Sequence, residues 1–356
     1  MSILELASLA PDLATKYQTT QLPDIVSGRV LYADADGWAY DCAKMDETYA
    51  ENIQVLKCVI EQYRLLAGAE EIETHTTTGS KGGRYEIARL REYQGHRKGR
   101  DPEIQQRVRD LRAFLGEYTN GGRVIPKPQE DQEADDSVTQ AMYAARFSSR
   151  AILYSPDKDL NMVPGLRVNP YTFEIERFEE GYGACRLDRT KSTTKVVGHG
   201  TSFFWHQMLM GDQADNIPGL PFSGTGITAS DFPSAKLRTL QIEVRSGISK
   251  NGTRISTPKL AEKQRQLVKE RENIKLKQVG PVTAYEYLQD CRTDRSAFIA
   301  VRAAYIDYWS QFKTITAWDG TTEFSDPSSR MLEQARLLWM RRTKDEDVLT
   351  FFKELA

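Results

Sequence analysis

Acidic residues gather at four places along this 356-residue chain, in spacings that suit a hard divalent cation. Asp34-x-Asp36 ends an apolar run, and Glu133-x-Asp135-Asp136 lies where five acids fall within the seven residues from Glu130 to Asp136. Asp157-x-Asp159 follows a second apolar run, and Gly211-Asp212-x-x-Asp215-Asn216 comes farther on. Magnesium takes oxygen ligands in near-octahedral geometry, keeps several waters and uses one or two carboxylates per ion. A pool of this size suits two ions about 4 Å apart, some ligands acting through water, and such a pair can drive in-line displacement at phosphorus. A spacing of three places Glu133 and Asp136 on one helical face and turns Asp135 elsewhere; Asp212 and Asp215 share that spacing. Pro156 marks a strand end, from which Asp157 and Asp159 reach a common cleft. Taken singly, each motif also reads as a turn, a cap or first-turn helix acids. Their joint occurrence, in this order, is what singles them out.

The elements that must position these groups alternate. Gly28 to Ala33 reads as a short buried strand stopping at a turn, and Glu51 to Ala67 as a helix with Ile53, Leu56, Ile60, Tyr63 and Leu66 on one face. Glu73 to Thr78 is a strand candidate followed by Gly79-Ser80-Lys81-Gly82-Gly83, and Asp101-Pro102 opens a helix running past Leu115. Val124-Ile125 is a further strand, Ala134 to Phe147 a helix, and Arg150 to Ser155 a strand leading into Asp157. Alternating short strands and helices predict an α/β domain with a mostly parallel central sheet flanked by helices. Polar residues just past the strands' carboxyl ends lie where such sheets hold ligands. From about residue 216 the texture turns helical.

Charge is segregated although the net charge is only −2. Lys81 to Arg112 holds ten basic residues against five acids, and Lys236 to Lys277 holds twelve against four. Two basic stretches around an acidic knot suit a protein that grips a phosphate backbone and holds metal where the chemistry happens. The ordinary alternative is a pair of solvated helix faces. No apolar run is long enough to cross a bilayer, and Glu5 stands where a secretory signal would carry a basic residue, so a cytoplasmic location is expected. Cys42, Cys58, Cys185 and Cys291 are scattered, which argues against a zinc site or a disulfide framework. His75, His96, His199 and His206 are equally scattered and are expected to be structural or DNA-facing. Tyr93, beside the basic run, is the aromatic residue placed to stack on a frayed base, with Trp38 and Tyr40 as lesser candidates.

Tyr32-Ala-Asp34-Ala-Asp36-Gly-Trp-Ala-Tyr40, Glu133-Ala-Asp-Asp136, Ser155-Pro-Asp-Lys-Asp-Leu160 and Gly211-Asp-Gln-Ala-Asp-Asn-Ile-Pro-Gly219 together resemble the 5′-nuclease (flap endonuclease) family. That family includes phage 5′-to-3′ exonucleases and the small nuclease domain of bacterial DNA polymerase I, and the match runs from about residue 30 to 290. The resemblance implies a PIN-like fold with a C-terminal helical region containing a helix-turn-helix-type DNA-binding element at Gly280 and Thr283. It implies a nuclease domain over residues 29–215 after an N-terminal extension (1–28), a basic arch segment at about 79–115, and a helical DNA-binding region over 216–356 with a basic insertion at about 222–277. Asp34, Glu133, Asp135 and Asp136 would then serve mainly one magnesium ion, and Asp157, Asp159, Asp212 and Asp215 the second, with manganese able to substitute. Tyr93-Gln94-Gly95-His96-Arg97 resembles the family's Tyr-Lys-x-Asn-Arg segment over the scissile phosphate. The family's arch lysine is Gln94 here, so Lys81, Arg97 or Lys98 would supply the catalytic cation, and Ser80 stands where the family usually has an Asp after its second strand.

The implied activity is cleavage from or near a 5′ end of DNA, as exonuclease or flap endonuclease, leaving a 5′-phosphate and a 3′-hydroxyl. Its implied setting is phage DNA replication, primer removal or repair. Substrates would be 5′ ends, flaps or nicks, with RNA in RNA–DNA hybrids a further candidate; a replisome protein is a candidate partner and a monomer the expected state. Two other readings stand beside it. A catalytically weak branched-DNA-binding relative would account for Ser80 and Gln94, whereas a metal-dependent phosphatase of small molecules would leave both basic stretches unexplained.

Overall fold

The computed structural model describes residues 22–45, 47–190, 193–220, 243–244, 246–272 and 278–356. Strand β1 (Val26–Asp34) leads directly into helix α1 (Asp36–Ala43), then α2 (Tyr49–Leu66) and β2 (Ala69–Thr77). Asp36 is therefore the first residue of a helix and not part of an open turn. β1 also starts earlier than the expected domain boundary at residue 29; residues 1–21 of the N-terminal extension lie outside the described residues. A short helix α3 (Arg84–Ile87) and a 3-10 turn at Gly95–Gly99 precede α4 (Pro102–Leu115), whose start is fixed by the Asp101 carboxylate accepting from Glu103 N and by Pro102. β3 (Val124–Gln129), α5 (Ala134–Ala144) and β4 (Ala151–Tyr154) complete the alternating part.

Next come β5 (Gly165–Val168), β6 (Ile175–Phe178), β7 (Ala184–Asp188), β8 (Lys195–His199) and the buried helix α6 (Thr201–Met210). The six-stranded sheet has the order β3-β2-β1-β4-β5-β6, parallel except for the edge strand β6. A mostly parallel sheet flanked by helices is thus the observed architecture. Strand order reverses between β1 and β4, and in open α/β sheets the crevice at such a switch point is where ligands bind. Asp34 closes β1, and Asp157 follows β4 by three residues.

Side chains alternate across the sheet, so each face builds its own core. Leu31, Ala33, Ile72, Val124, Ile152 and Tyr154 pack against α1, α2 and α4, with Trp38 5.0 Å and Tyr63 4.0 Å from the Tyr154 ring centroid. Ala151 and Leu153 face the opposite way, toward α5 and α6. That second core continues through the helices α8 (Pro281–Leu288), α9 (Asp294–Trp309), α10 (Pro327–Leu338) and α11 (Val348–Leu355), which follow α7 (Thr257–Glu272). A helix apolar all round must be enclosed. α6 is so enclosed, and Trp205 and Tyr305 satisfy their polar atoms on Asp294 (2.8 Å) and the Met208 carbonyl (2.8 Å).

Three sequence expectations change here. The C-terminal region contains a hairpin, Thr314–Thr316 paired with Thr322–Phe324, among its helices. Asp212 and Asp215 do not share a helix: Gly211–Asp212 pairs antiparallel with Ile217–Pro218, and a tight turn between them carries Asp215. Gly280 caps α8 with φ −90°, a conformation open to any residue, so the backbone there makes no special demand for glycine. Residues 273–277 just before it, and 222–242 and 245 of the basic insertion, lie outside the described residues.

Candidate metal and phosphodiester site

At the β1/β4 switch point a cleft of about 1120 Å³ is lined by Asp34, Asp36, Glu133, Asp135, Asp157 and Asp215, with Lys81, Gln94, Arg97, Arg112 and Lys158 among them. Ser155 ties the two strand ends together. Its hydroxyl donates to Asp34 Oδ2 at 3.0 Å and accepts from Asp157 N at 3.0 Å. Asp157 in turn accepts from Asp159 N at 2.9 Å and starts a 3-10 turn that aims Asp159 inward. Asp159 Oδ1 accepts from Gln207 Nε2 of α6 at 2.6 Å. Carboxylate oxygens of Asp159, Asp212 and Asp215 all lie within 4.8 Å of one another. Lys158 bridges Asp159, at 3.0 Å, and Asp212.

Electrostatics divides the carboxylates into two classes. Burial, then Asp36 and Asp157, pushes the Asp34 carboxyl up to about 7. Asp135 is raised well above the usual carboxylate range by burial and by Glu133, and Asp159 by burial and by Asp157. Asp215 is raised as well, by burial and Glu133. Glu133 and Asp136 go the other way. Burial opposes their charge, but Arg84 and Lys81 outweigh it at Glu133, and Arg84 and Arg341 outweigh it at Asp136, holding both low. Carboxylates crowded without enough positive charge are the ones a divalent cation relieves.

The all-oxygen donor set fits a hard cation such as magnesium. The Lys158 ammonium between Asp159 and Asp212 supports the fit, since it is a cation already standing in the densest part of the cluster.

Of the two acids expected as ligands beside Glu133, the structure keeps one at the cleft. Asp135, expected to turn away, lines the cleft, whereas Asp136 does not. Both Asp136 oxygens are taken by arginines: Arg84 donates at 2.9 and 3.2 Å, and Arg341 donates through its backbone N, Nε and Nη2 at 3.0, 3.1 and 2.8 Å. The reason is the helix start. Glu133 is the N-cap of α5 and the next acids diverge by about 100° per residue, so Asp135 and Asp136 cannot share a direction.

Tyr93 is 3% exposed, and its hydroxyl donates to Glu133 at 2.9 Å and Asp215 at 3.2 Å. It is a ligand-orienting group, not a stacking platform, and Trp38 is likewise core. Gln94, at φ +53°, donates to Asp215 at 2.8 Å. Arg97 pairs with Asp215 at 2.7 Å and Lys81 with Glu133 at 3.0 Å, whereas Lys98 points out to Glu92.

Ser80 does not line the cleft; its N–H donates to Glu130 O at 2.7 Å. The hydroxyl that β2 does bring there is Thr77, which accepts from Ala134 N at 2.9 Å. Arg84 and Arg341 carried no local signal in the sequence. His75 bonds Ser137 at 2.8 Å and His206 the Ser202 carbonyl at 2.7 Å, away from the cleft as expected; His199 lines its far wall. No described helix is long and apolar enough to cross a membrane.

No family model matches the chain. In sequence it is similar to DNA polymerase I of Bacillus caldotenax, 29% identical over 171 residues, which is 44% of this chain and 17% of that protein. It is similarly 29% identical over 162 residues to DNA polymerase I of Geobacillus stearothermophilus, with the same shares. The match thus spans 17% of the length of these curated relatives. Among solved structures it is similar to a T5 5′-exonuclease with bound zinc, at 12% identity and a TM-score of 0.41 over 92% of this chain and 98% of that one. It is also similar to a bacteriophage T5 D15 flap endonuclease pseudo-enzyme–product complex with DNA and metal ions, at 14% identity and a TM-score of 0.36 over 78% and 99%. The chain is thus similar over part of its length to two DNA polymerases I, and the four motifs at the cleft are those that resemble the 5′-nuclease family.

Proposed function

We propose that this chain is a magnesium-dependent nuclease that hydrolyses DNA phosphodiesters from or near a 5′ end. The observation that carries the reading is the convergence of carboxylates from all four motifs on one cleft at the sheet's switch point, where burial and mutual repulsion raise Asp34, Asp135, Asp159 and Asp215. Asp34, Glu133 and Asp135 would hold one ion, and Asp157, Asp159, Asp212 and Asp215 a second. When bound, the metal pair activates water and stabilises the attacking and leaving oxygens. The protein's own contribution is position. Tyr93 and Gln94 hold Glu133 and Asp215 in register, and Ser155 fixes Asp34 against the Asp157 turn. Lys81 and Arg97, which rest on those carboxylates, are the cations within reach of a scissile phosphate once metal takes their places; Lys98 is a peripheral phosphate contact. Gly280 and Thr283 at the start of α8 would touch the duplex backbone as part of a helix-turn-helix-type element. Residues 29–215 would form the nuclease region and 216–356 the DNA-binding region.

The substrate class is DNA with 5′ ends, flaps or nicks, in a replication or repair setting of phage type. RNA–DNA hybrids, a replisome partner and a monomeric state complete the proposal. A time course on 5′-labelled single-stranded, nicked and flapped DNA with magnesium tests it. Short products laddering from the 5′ end mark an exonuclease and one discrete product a flap endonuclease. No product from any of the three would refute the reading in favour of a DNA-binding relative.

A further inference from the structure

The cleft does not end at the carboxylates. Its 1120 Å³ exceeds the roughly 300–1,000 Å³ of a small-ligand pocket, and the far part is walled by β5 to β8. Arg167 of β5 lines this wall yet is only 4% exposed. Nη1 donates to neutral acceptors, Asn161 Oδ1 at 2.7 Å and the Leu160 carbonyl at 3.5 Å. Among the described residues no carboxylate forms an ion pair with this guanidinium. Glu176 stands opposite on β6 and its charge favours the guanidinium, but its carboxylate accepts from Asn169 Nδ2 at 2.7 Å. A buried cation is ordinarily paired, and one that lines a cleft with only neutral hydrogen-bond partners is a place where an anion completes the pairing.

Its surroundings suit a nucleotide. The Phe178 ring lies 4.8 Å from the Arg167 guanidinium and stacks on His199 at 4.7 Å with 27° between planes. Tyr171, 76% exposed, offers a free ring on the same wall. Arg186 and Lys195 face each other's strands across the β7–β8 hairpin and add two cations, against Glu176 and Asp188. Asn161 belongs to the 3-10 turn that carries Asp159, so Arg167 is braced by the same segment that orients the candidate metal ligands.

We propose that this wall is a subsite for single-stranded nucleic acid, in which Arg167, with Arg186 and Lys195, receives a backbone phosphate while Tyr171 stacks on a base. It rests on the nuclease reading and deepens it: the strand handled at the carboxylates continues along β5 to β8 and is read by charge and ring faces, without base-specific hydrogen bonds.

Fluorescence anisotropy of a 3′-labelled oligothymidylate in EDTA tests it, with magnesium-dependent cleavage of a flapped duplex scored in parallel. Arg167→Met should weaken binding about tenfold, the effect of one charge-assisted hydrogen bond. It should also lower the slope of log affinity against log salt by about 0.7, the value for one phosphate contact on a single strand. Tyr171→Ala should weaken binding without changing the slope. Should Arg167→Met fail to fold, the double variant Arg186→Ala/Lys195→Ala carries the same slope test. A wild type that cleaves, with variants of unchanged affinity and slope, overturns the subsite alone. A wild type that neither cleaves nor binds overturns the subsite and the nuclease reading together.

Discussion

Two groups of buried acids lie side by side in this fold and are treated in opposite ways. Asp136 is fully buried and satisfied: two arginines, one from α3 and one from the segment after α10, occupy both its oxygens. Asp34 and Asp159 are also buried and Asp135 and Asp215 half-buried, but these four crowd one another, and desolvation with like charge raises their carboxyls. The first arrangement is a clasp joining the C-terminal region to the sheet. The second is a deficit of positive charge held in place by Ser155, Gln207 and Tyr93. Burial alone therefore does not mark a candidate metal ligand; crowding that the available cations only partly offset does.

Breaking the crowded side should cost activity. Asp157→Ala removes a carboxylate of the second proposed ion site, and a quantitative flap-cleavage assay should show loss of nearly all of a catalytic acceleration that is typically at least about 10⁶-fold. Retention of a tenth of the rate would place the chemistry elsewhere.

Breaking the clasp should cost stability. Asp136→Ala strands Arg84 and Arg341, and removing one partner of a buried pair typically costs about 3–5 kcal/mol. Denaturant melts should show that loss, while magnesium affinity of the folded fraction changes little; a large affinity loss with unchanged stability would return Asp136 to the metal ligands.

A smaller effect separates the two sides by pH. Asp34 is raised from 3.8 to about 7, so the metal-free folded protein keeps a proton that the unfolded chain releases. Its contribution to stability is complete below pH 4 and is lost as pH rises through 7. Metal-free melting temperature should fall across that window, and Asp34→Asn should flatten the fall. An identical slope in the variant would show that Asp34 ionises normally.

The smallest change is expected in the segment between α3 and Tyr93, where Arg89 pairs with Asp319 at 3.0 Å and with Glu323 of the C-terminal hairpin. These groups are partly exposed, so Arg89→Ala should cost no more than about 1 kcal/mol. Hydrogen exchange at Ala88 to Gln94 should rise modestly; no change there would show that Trp318 and Glu333 suffice to hold the segment.

Much of this was legible in the sequence because it depends on local pattern. β1, α2, α4 and β4 follow from apolar runs, the Asp101-Pro102 start and the 3.6-residue period, and strand-end acids follow from where α/β sheets place ligands. Other features depend on distant partners. The directions of Asp135 and Asp136 were missed because direction at a helix start depends on the cap, and because Arg341, more than two hundred residues away, claims Asp136. Tyr93 was misjudged because an aromatic beside a basic run gives no sign that its hydroxyl will be drawn to Glu133 and Asp215. The strands β5 to β8 went unassigned, since they are four or five residues long and partly exposed, with no continuous apolar run to announce them.

The central claim is that the crowded acids, with Asp159, Asp212 and Asp215 at their densest point, hold divalent metal for cleavage near a 5′ end. A magnesium titration of cleavage on a 5′-flapped duplex, comparing the wild type with Asp212→Asn, tests it most directly. The prediction is a saturable, EDTA-reversible rise in wild-type product released from the 5′ end, with the variant at background at matched magnesium. Cleavage independent of metal, or an unchanged titration in Asp212→Asn, would contradict it.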